Sequence, residues 1–138
     1  LDSLNKRINF LNEVIKKLNL KEVNTIHSRA EEYAKNKVRE SYDVAVSRAV
    51  ADLPILLEYL MPYVKLNGIC ICMKGPKAQE ELERSKKAIN ILGGKLEKVE
   101  KITIDEEMER NLIIIRKIKD TPNKYPRKAG VPTKNPIV

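Results

Sequence analysis

The sequence has few of the residues from which metal sites, disulfides and nucleophilic triads are built. Its 138 residues include two cysteines, one histidine and no tryptophan. Cys70 and Cys72 lie two positions apart in an apolar run, a spacing within one strand that does not favour a disulfide. No second cysteine pair completes a zinc site, and His27 has no triad partner. We therefore expect free buried thiols in a reducing cytoplasm, no metal and no catalytic side chain of these classes.

Targeting signals and nucleotide-loop patterns are also missing. The sequence contains no apolar run of about 18 residues and no signal peptide, so we expect neither a membrane span nor secretion. There is no G-x-G pattern, and Gly93-Gly94 follows a predicted helix, the wrong context for a dinucleotide loop. A nicotinamide enzyme is therefore disfavoured. The chain lacks an initiator methionine and starts at Leu1-Asp2, so we expect it to be part of a longer protein.

Charge is what the sequence has in excess. Charged residues make up 33% and hydrophobic residues 42% of the chain, which is typical of one soluble globular domain. The net charge of +8 fits an anionic partner, either a nucleic acid or a membrane surface. A lysine-rich protein with well-solvated helices has the same balance, so composition leaves both interpretations open.

A predicted strand that ends in an arginine organises the chain. The apolar run 44–46 is typical of a buried parallel strand, and it leads into Ser47-Arg48. A helix follows from Asp52, with leucines at helical spacing at positions 53, 56, 57 and 60. Ligands of open α/β sheets bind outside the carboxyl ends of the strands, which makes Arg48 a candidate site residue. The alternative is a structural salt bridge between Arg48 and either Asp43 or Asp52.

The remaining periodicities predict an α/β fold. They indicate helices over 4–18, 31–38, 52–64 and 78–92, and strands over 23–27, 44–46, 69–73, 95–104 and 110–118. The last two strands are expected to pair as an antiparallel hairpin at the edge of a parallel sheet, with 105–108 in the loop. Residues 1–120 would form the domain, and 121–138 a basic, proline-rich, extended arm. This order is typical of a Rossmann-like class I methyltransferase sheet whose N-terminal part is missing.

Asp2 permits two interpretations. If a strand ends at Asp2, the carboxylate lies where doubly wound folds hold ribose hydroxyls. Alternatively, it caps the following helix, for which Ser3 is the predicted N-cap residue. The residues alone leave both interpretations open.

Five short segments, in order along the chain, resemble one bacterial enzyme family. They are Asp2-Ser3-Leu4-x-Lys6-Arg7, His27-Ser28-Arg29-Ala30-Glu31-Glu32, Tyr42-Asp43-x-x-x-Ser47-Arg48-Ala49-x-Ala51, Met73-Lys74-Gly75 and Lys124-Tyr125-Pro126-Arg127-Lys128-x-Gly130-x-Pro132. This set resembles the RsmG family, also called GidB, which methylates the N7 atom of a guanine in 16S rRNA with S-adenosylmethionine. That family's glycine-rich loop, and the helices before it, have no counterpart in this sequence.

The resemblance implies a set of site residues and a partner. Those expected to bind S-adenosylmethionine are Ala30, Glu31, Arg48 and Asp2, and those expected to contact RNA are Arg29, Lys74, Arg127 and Lys128. The implied partner is 16S rRNA or the small ribosomal subunit in the cytoplasm, with no metal and no membrane contact. A monomer is favoured, although the sequence does not determine the oligomeric state. Guanine N7 carries an in-plane lone pair, so methyl transfer needs alignment rather than a strong base. The alternatives are a non-enzymatic basic RNA-binding module and a Rossmann-like methyltransferase with another substrate.

Overall fold

Four β-strands form one mixed sheet. The computed structural model describes residues 1–48, 51–103 and 109–138. Its strands are β1 (Tyr42–Arg48), β2 (Val64–Lys74), β3 (Gly94–Thr103) and β4 (Glu109–Lys117), in the spatial order β1-β2-β4-β3. β1 and β2 are parallel, whereas the pairs β2–β4 and β3–β4 are antiparallel. The predicted α/β class and the hairpin at the sheet edge are confirmed.

Six α-helices lie in the described part of the chain. They are α1 (Asn5–Lys17), α2 (Ala30–Tyr33), α3 (Leu53–Leu60), α4 (Ala78–Arg84), α5 (Lys86–Ile91) and α6 (Val131–Lys134), with a 3₁₀ turn at Met61–Tyr63. Among the described helices, none combines the length and apolar character that crossing a membrane requires. Helix α1 matches its prediction to within one residue at each end.

Three helices are shorter than the periodicity predicts. The helix expected over 31–38 is the single turn α2. The helix expected over 52–64 becomes a 3₁₀ turn at Met61, because the ring of Pro62 cannot continue an α-helix. The helix expected over 78–92 is interrupted at Ser85, whose hydroxyl donates a hydrogen bond to the Glu81 carbonyl oxygen at 2.6 Å. Such bonding back to the preceding turn competes with the helix ladder and bends it.

The hydrophobic core lies between the sheet and α3, α4 and α5. Its fully buried members from the helices include Leu53 and Leu57, and those from the central strands include Cys70, Cys72 and Ile113. The helical spacing of the leucines and the two-residue spacing in the strands bring these side chains to one interface. Both cysteines are free and buried, as predicted.

β2 begins five residues earlier than predicted and includes residues 66–68. Val64 pairs with Tyr42, and the register then shifts so that Val44 pairs with Ile69. Asn67 in this bulge has a positive φ of 65°. A Cβ atom at Gly68 would lie 2.6 Å from the Asp43 carbonyl oxygen, so only glycine allows this close approach. Residues 65–68 therefore form a bulge inside a strand that is longer than the predicted 69–73.

The strand expected over 23–27 does not form. Only one bridge joins this segment to the N-terminus, a parallel pairing of Asp2 with His27. The nearby helix α1 buries only Ile8, while Phe10 is 66% exposed. A strand needs a partner along its length, and the described residues supply a partner at one position. Two other predicted regions cannot be compared in full. Positions 49 and 50 of the segment 42–51, and the loop 105–108, lie outside the described residues.

The two free edges of the sheet differ in chemistry. β3 carries charged side chains at 95, 97, 98, 100 and 101 and a register shift between Leu96 and Lys98. Charges and bulges of this kind protect an edge strand from further pairing. β1 has neither between Val44 and Ser47, and Val44 and Val46 are 45% and 51% exposed. Among the described residues, no strand pairs with the outer side of β1, and its sequence there is as apolar as that of an interior strand.

The C-terminal arm is packed, which corrects the prediction of an extended segment. Tyr125 and Ile137 are buried members of the core. The Arg39 guanidinium donates to the carbonyl oxygens of Thr121 at 2.7 Å and Tyr125 at 2.8 Å. Proline-rich composition indicated a lack of helix or strand, but it does not exclude burial of the apolar side chains between the prolines. The domain boundary at residue 120 stays a prediction.

Candidate functional site

Arg48 lies at the carboxyl end of β1, beside the carboxyl end of β2. Arg48 pairs in register with Met73, the residue before Lys74, which ends β2. Arg48 is exposed, and no ion pair engages it in the described part of the chain. Asp43 instead pairs with Lys65 at 2.5 Å, and Asp52 with Arg84 at 3.0 Å. Neither aspartate forms a salt bridge with Arg48. The guanidinium charge of Arg48 is therefore available to bind a ligand.

Lys74 is engaged inside the protein. Its Nζ donates to the Ala51 carbonyl oxygen at 2.5 Å and forms an ion pair with Glu81 Oε2 at 2.6 Å. Glu81 Oε2 also accepts a hydrogen bond from the Leu53 amide at 2.8 Å. The side chain of Lys74 is only 9% exposed. Contact between Lys74 and RNA stays a prediction, whereas Lys74 and its partner Glu81 bind the backbone of Ala51 and Leu53.

The carboxylate of Asp2 holds the start of α1. Its Oδ1 accepts a hydrogen bond from the Leu4 amide at 2.8 Å, and its Oδ2 lies 3.3 Å from Arg7 Nη1. The backbone hydrogen bond from Leu4, assisted by Arg7, lowers the pKa of Asp2 below its ordinary value. Leu4, not Ser3, occupies the N-cap position, so the prediction for Ser3 is wrong. These contacts match the capping interpretation of Asp2, and its role at a ribose stays a prediction.

Ala30 and Glu31 lie against a tyrosine that the sequence analysis missed. Tyr63 Oη donates to the Ala30 carbonyl oxygen at 2.6 Å, and its ring stacks on Tyr33 with centroids 6.2 Å apart. Burial, with neighbouring tyrosines and Glu31, raises the pKa of Tyr63 well above its ordinary value. Glu31 is itself buried. No periodicity or motif marks Tyr63, because its partners lie thirty residues earlier in the chain.

The predicted cofactor residues fall into separate groups. Tyr63, which holds Ala30, directly precedes β2, and the first residue of β2 pairs with the first residue of β1. Ala30 is thus tied to the end of the β1–β2 pair that is opposite Arg48. Asp2 belongs to the bridge with His27, outside the four-stranded sheet. Among the described residues, no hydrogen bond or ion pair joins Asp2, Glu31 and Arg48.

The predicted RNA residues also differ in their surroundings. Arg29 and Lys128 are exposed. Arg127 forms a two-pronged contact with Glu58, with Nη2 2.6 Å from Oε2 and Nε 2.9 Å from Oε1. Glu58 is fully buried on α3, and its Oε1 also accepts from the Arg127 amide at 2.8 Å. An acidic residue within the leucine-rich helix is the sequence signal that could have indicated this buried pairing.

We expect replacement of Arg127 with methionine to lower the free energy of unfolding by about 1–3 kcal/mol, since Glu58 loses its charged partner and keeps the backbone donor. Urea unfolding measures this change. Lys128→Met is the matched control, because Lys128 is exposed and adjacent. Equal stability of the two variants would contradict the structural role of Arg127.

Comparisons with known proteins agree on one family. The family model described as GidB, rRNA small subunit methyltransferase G, matches residues 1–113. "Ribosomal RNA small subunit methyltransferase G" of Clostridium tetani is 52% identical over 139 residues, covering 99% of this chain and 58% of that protein. The Clostridium perfringens relative is 56% identical over 139 residues, with the same two coverages.

Solved structures show the same fold. A structure described as an rRNA methylase from Streptococcus thermophilus has a TM-score of 0.61 at 12% identity, covering 86% of this chain and 71% of that chain. The M. jannaschii TYW2 structure in complex with AdoMet has a TM-score of 0.57 at 19% identity, covering 79% and 51%. These likenesses support the Rossmann-like methyltransferase fold.

The extent of the matches matters for the site. The chain spans about 58% of the length of the curated relatives it matches. No described strand pairs with the outer side of β1, and the predicted site residues lie in separate groups. Both observations are consistent with this partial coverage. Since the family model matches well over half of the chain, the protein belongs to the rRNA small subunit methyltransferase G (GidB) family.

Proposed function

We propose that this chain is part of an enzyme that transfers a methyl group from S-adenosylmethionine to the N7 atom of a guanine in 16S rRNA. The observation that carries the proposal is the exposed guanidinium of Arg48, which no described residue neutralises, at the carboxyl end of a parallel strand in a chain of this family. In this proposal residues 1–120 form the methyltransferase portion and 121–138 the basic arm. The enzyme acts in the cytoplasm as a monomer.

The cofactor would bind between the end of β1 and the Asp2–His27 bridge. In doubly wound folds, a central strand lies between the two halves of the sheet, and the glycine-rich loop follows this strand. We propose that the part of the relatives outside the matched region supplies this strand to the outer side of β1. The exposed Val44 and Val46, and the exposed apolar residues of α1, support this assignment, because a further strand and its helices would cover them.

The residues of this chain would bind and orient rather than exchange protons. S-adenosylmethionine supplies an electrophilic methyl group on a sulfonium, and guanine N7 attacks it through its lone pair without first losing a proton. Arg48 would hold the cofactor carboxylate or shape the guanine pocket. Arg29 and Lys128 would neutralise RNA phosphates, which makes RNA affinity fall steeply with salt. A guanine in folded RNA must also be exposed before it reaches the methyl group.

The test uses this chain and a longer protein. In the longer one, called here the joined protein, this chain is joined to the part of the Clostridium tetani relative outside the match. We expect calorimetric titration with S-adenosylhomocysteine to give a micromolar Kd for the joined protein and binding at least about tenfold weaker for this chain alone, about 1.4 kcal/mol. The missing backbone contacts of the glycine-rich loop explain the difference. The joined protein is then assayed for methyl transfer to 16S rRNA.

Two outcomes would count against the proposal. Binding of RNA by the joined protein without any binding of S-adenosylhomocysteine would favour a non-enzymatic RNA-binding module. Binding of S-adenosylhomocysteine without RNA affinity at low salt would indicate a methyltransferase with another substrate.

A further inference from the structure

Glu81, on α4, connects three segments at the carboxyl ends of β1 and β2. Its Oε2 accepts from Lys74 Nζ at 2.6 Å and from the Leu53 amide at 2.8 Å. Lys74 Nζ in turn donates to the Ala51 carbonyl oxygen at 2.5 Å. One carboxylate thereby links the last residue of β2, the first residue of α3 and, through Lys74, Ala51.

A second ion pair reinforces this arrangement. Asp52 lies between the two tethered residues, and its carboxylate pairs with Arg84 of α4 at 3.0 Å. Residues 51–53 are therefore held at three consecutive positions, by contacts with α4 and with the end of β2. In the charge balance of this cluster, Asp52 and Glu81 are matched by Lys74 and Arg84. Arg48, which precedes the held segment, forms no ion pair with any residue that the structure describes.

The Lys74–Glu81 pair is largely removed from water. The side chains of Lys74 and Glu81 are 9% and 16% exposed. Taking two charges out of water is costly, and well-packed apolar side chains often stabilise such a site as well as the ion pair does. What the ion pair provides beyond apolar packing is direction, because Glu81 Oε2 accepts from the Leu53 amide and Lys74 Nζ donates to the Ala51 carbonyl oxygen. That direction is imposed where ligands of open α/β sheets bind.

We propose that Glu81 is a positioning residue for the cofactor site, which holds residues 51–53 in place at the end of the strand that carries Arg48. This inference rests on the proposed function, since it takes the cofactor to bind at this end of the sheet. Glu81 does not contact the cofactor; it acts through Lys74 and Leu53.

The positional part is tested in this chain by amide hydrogen exchange. We expect Glu81→Ala to speed exchange of the Leu53 amide about tenfold, because that amide loses its charged acceptor. Glu81→Gln keeps an oxygen acceptor and restores most of the protection. Glu80→Ala is the matched control, since Glu80 is the exposed neighbour on the same helix. Unchanged exchange at Leu53 in Glu81→Ala and in Glu81→Gln would overturn the inference.

The functional part is tested in the joined protein by steady-state kinetics. We expect Glu81→Ala to raise KM for S-adenosylmethionine about tenfold, with KM for rRNA unchanged and Glu81→Gln close to the original enzyme. An equal rise in KM for both substrates, or faster Leu53 exchange with unchanged KM values, would mean a purely structural role. Either result would overturn the inference but not the proposed function. Absence of S-adenosylhomocysteine binding in the original joined protein and the Glu80→Ala control would instead overturn the proposed function, and the inference with it.

Discussion

Replacing Lys117 with methionine is expected to lower the free energy of unfolding by about 3–5 kcal/mol. Lys117 is fully buried at the end of β4, and its Nζ donates to the Met61 carbonyl oxygen at 2.8 Å, to Thr121 Oγ1 at 2.7 Å and to Glu40 Oε1 at 2.8 Å. Burial lowers the pKa of Lys117, and the contact with Glu40 opposes that change. Methionine fills the same volume but leaves these acceptors without their shared donor. Urea unfolding measures the loss.

The Lys117–Glu40 ion pair also predicts how the loss of stability in Lys117→Met depends on pH. Burial alone would raise the pKa of Glu40, but hydrogen bonds from Lys117 and the Thr121 amide hold it below its ordinary value of 4.5. The unfolded chain binds more protons between that lowered pKa and 4.5, so stability falls as pH falls through this window. The stability difference between the original protein and Lys117→Met is therefore expected to be largest near neutral pH and to shrink below about pH 4.

Controls separate the ion pair from a general effect of losing a lysine. Lys119→Met removes a charge two residues away at an exposed position, and we expect a change within about 0.5 kcal/mol. In Lys117→Met/Glu40→Gln, the second change should cost less than Glu40→Gln does alone, because the partners are already separated. A loss below about 1 kcal/mol for Lys117→Met would mean that the buried contacts contribute little.

The elements near Arg48 could be predicted because their signals are local. An apolar run that ends in a polar residue and is followed by leucines at helical spacing indicates a strand, a turn and a helix without knowledge of distant residues. The structure has β1 ending at Arg48 and α3 starting at Leu53, as these signals indicate. The edge hairpin was predictable for the same reason, since its two strands are close in sequence.

The polar contacts inside the fold could not be predicted in this way. Periodicity assigns a lysine to solvent, yet Lys117 is buried by partners that the sheet brings from the start of β1 and the end of α3. Glu58 and Arg127 are 69 residues apart and meet only when the arm packs on α3. The strand over 23–27 failed for a related reason: its pattern is local, but its stability depends on a neighbour that the described residues do not supply.

In the joined protein, Arg48→Ala is expected to lower the rate of methyl transfer at least about 100-fold, which corresponds to about 2.7 kcal/mol of transition-state stabilisation. Arg48 is exposed and without an ion pair in the described part of the chain, so the free energy of unfolding should change by less than about 0.5 kcal/mol. Filter-binding of methylated 16S rRNA measures the first quantity, and urea unfolding measures the second.

Two further variants identify what Arg48 does. Arg48→Lys keeps the charge but loses the planar fork that binds a carboxylate through two hydrogen bonds. If Arg48 holds the cofactor carboxylate, Arg48→Lys should raise KM for S-adenosylmethionine and leave KM for rRNA unchanged; a phosphate contact with RNA would give the reverse pattern. Lys95→Ala on β3 is the control for loss of an exposed cation away from the strand end. Full methyl transfer by Arg48→Ala would contradict the role that the proposed function gives to Arg48, and Arg48 would then no longer support that function.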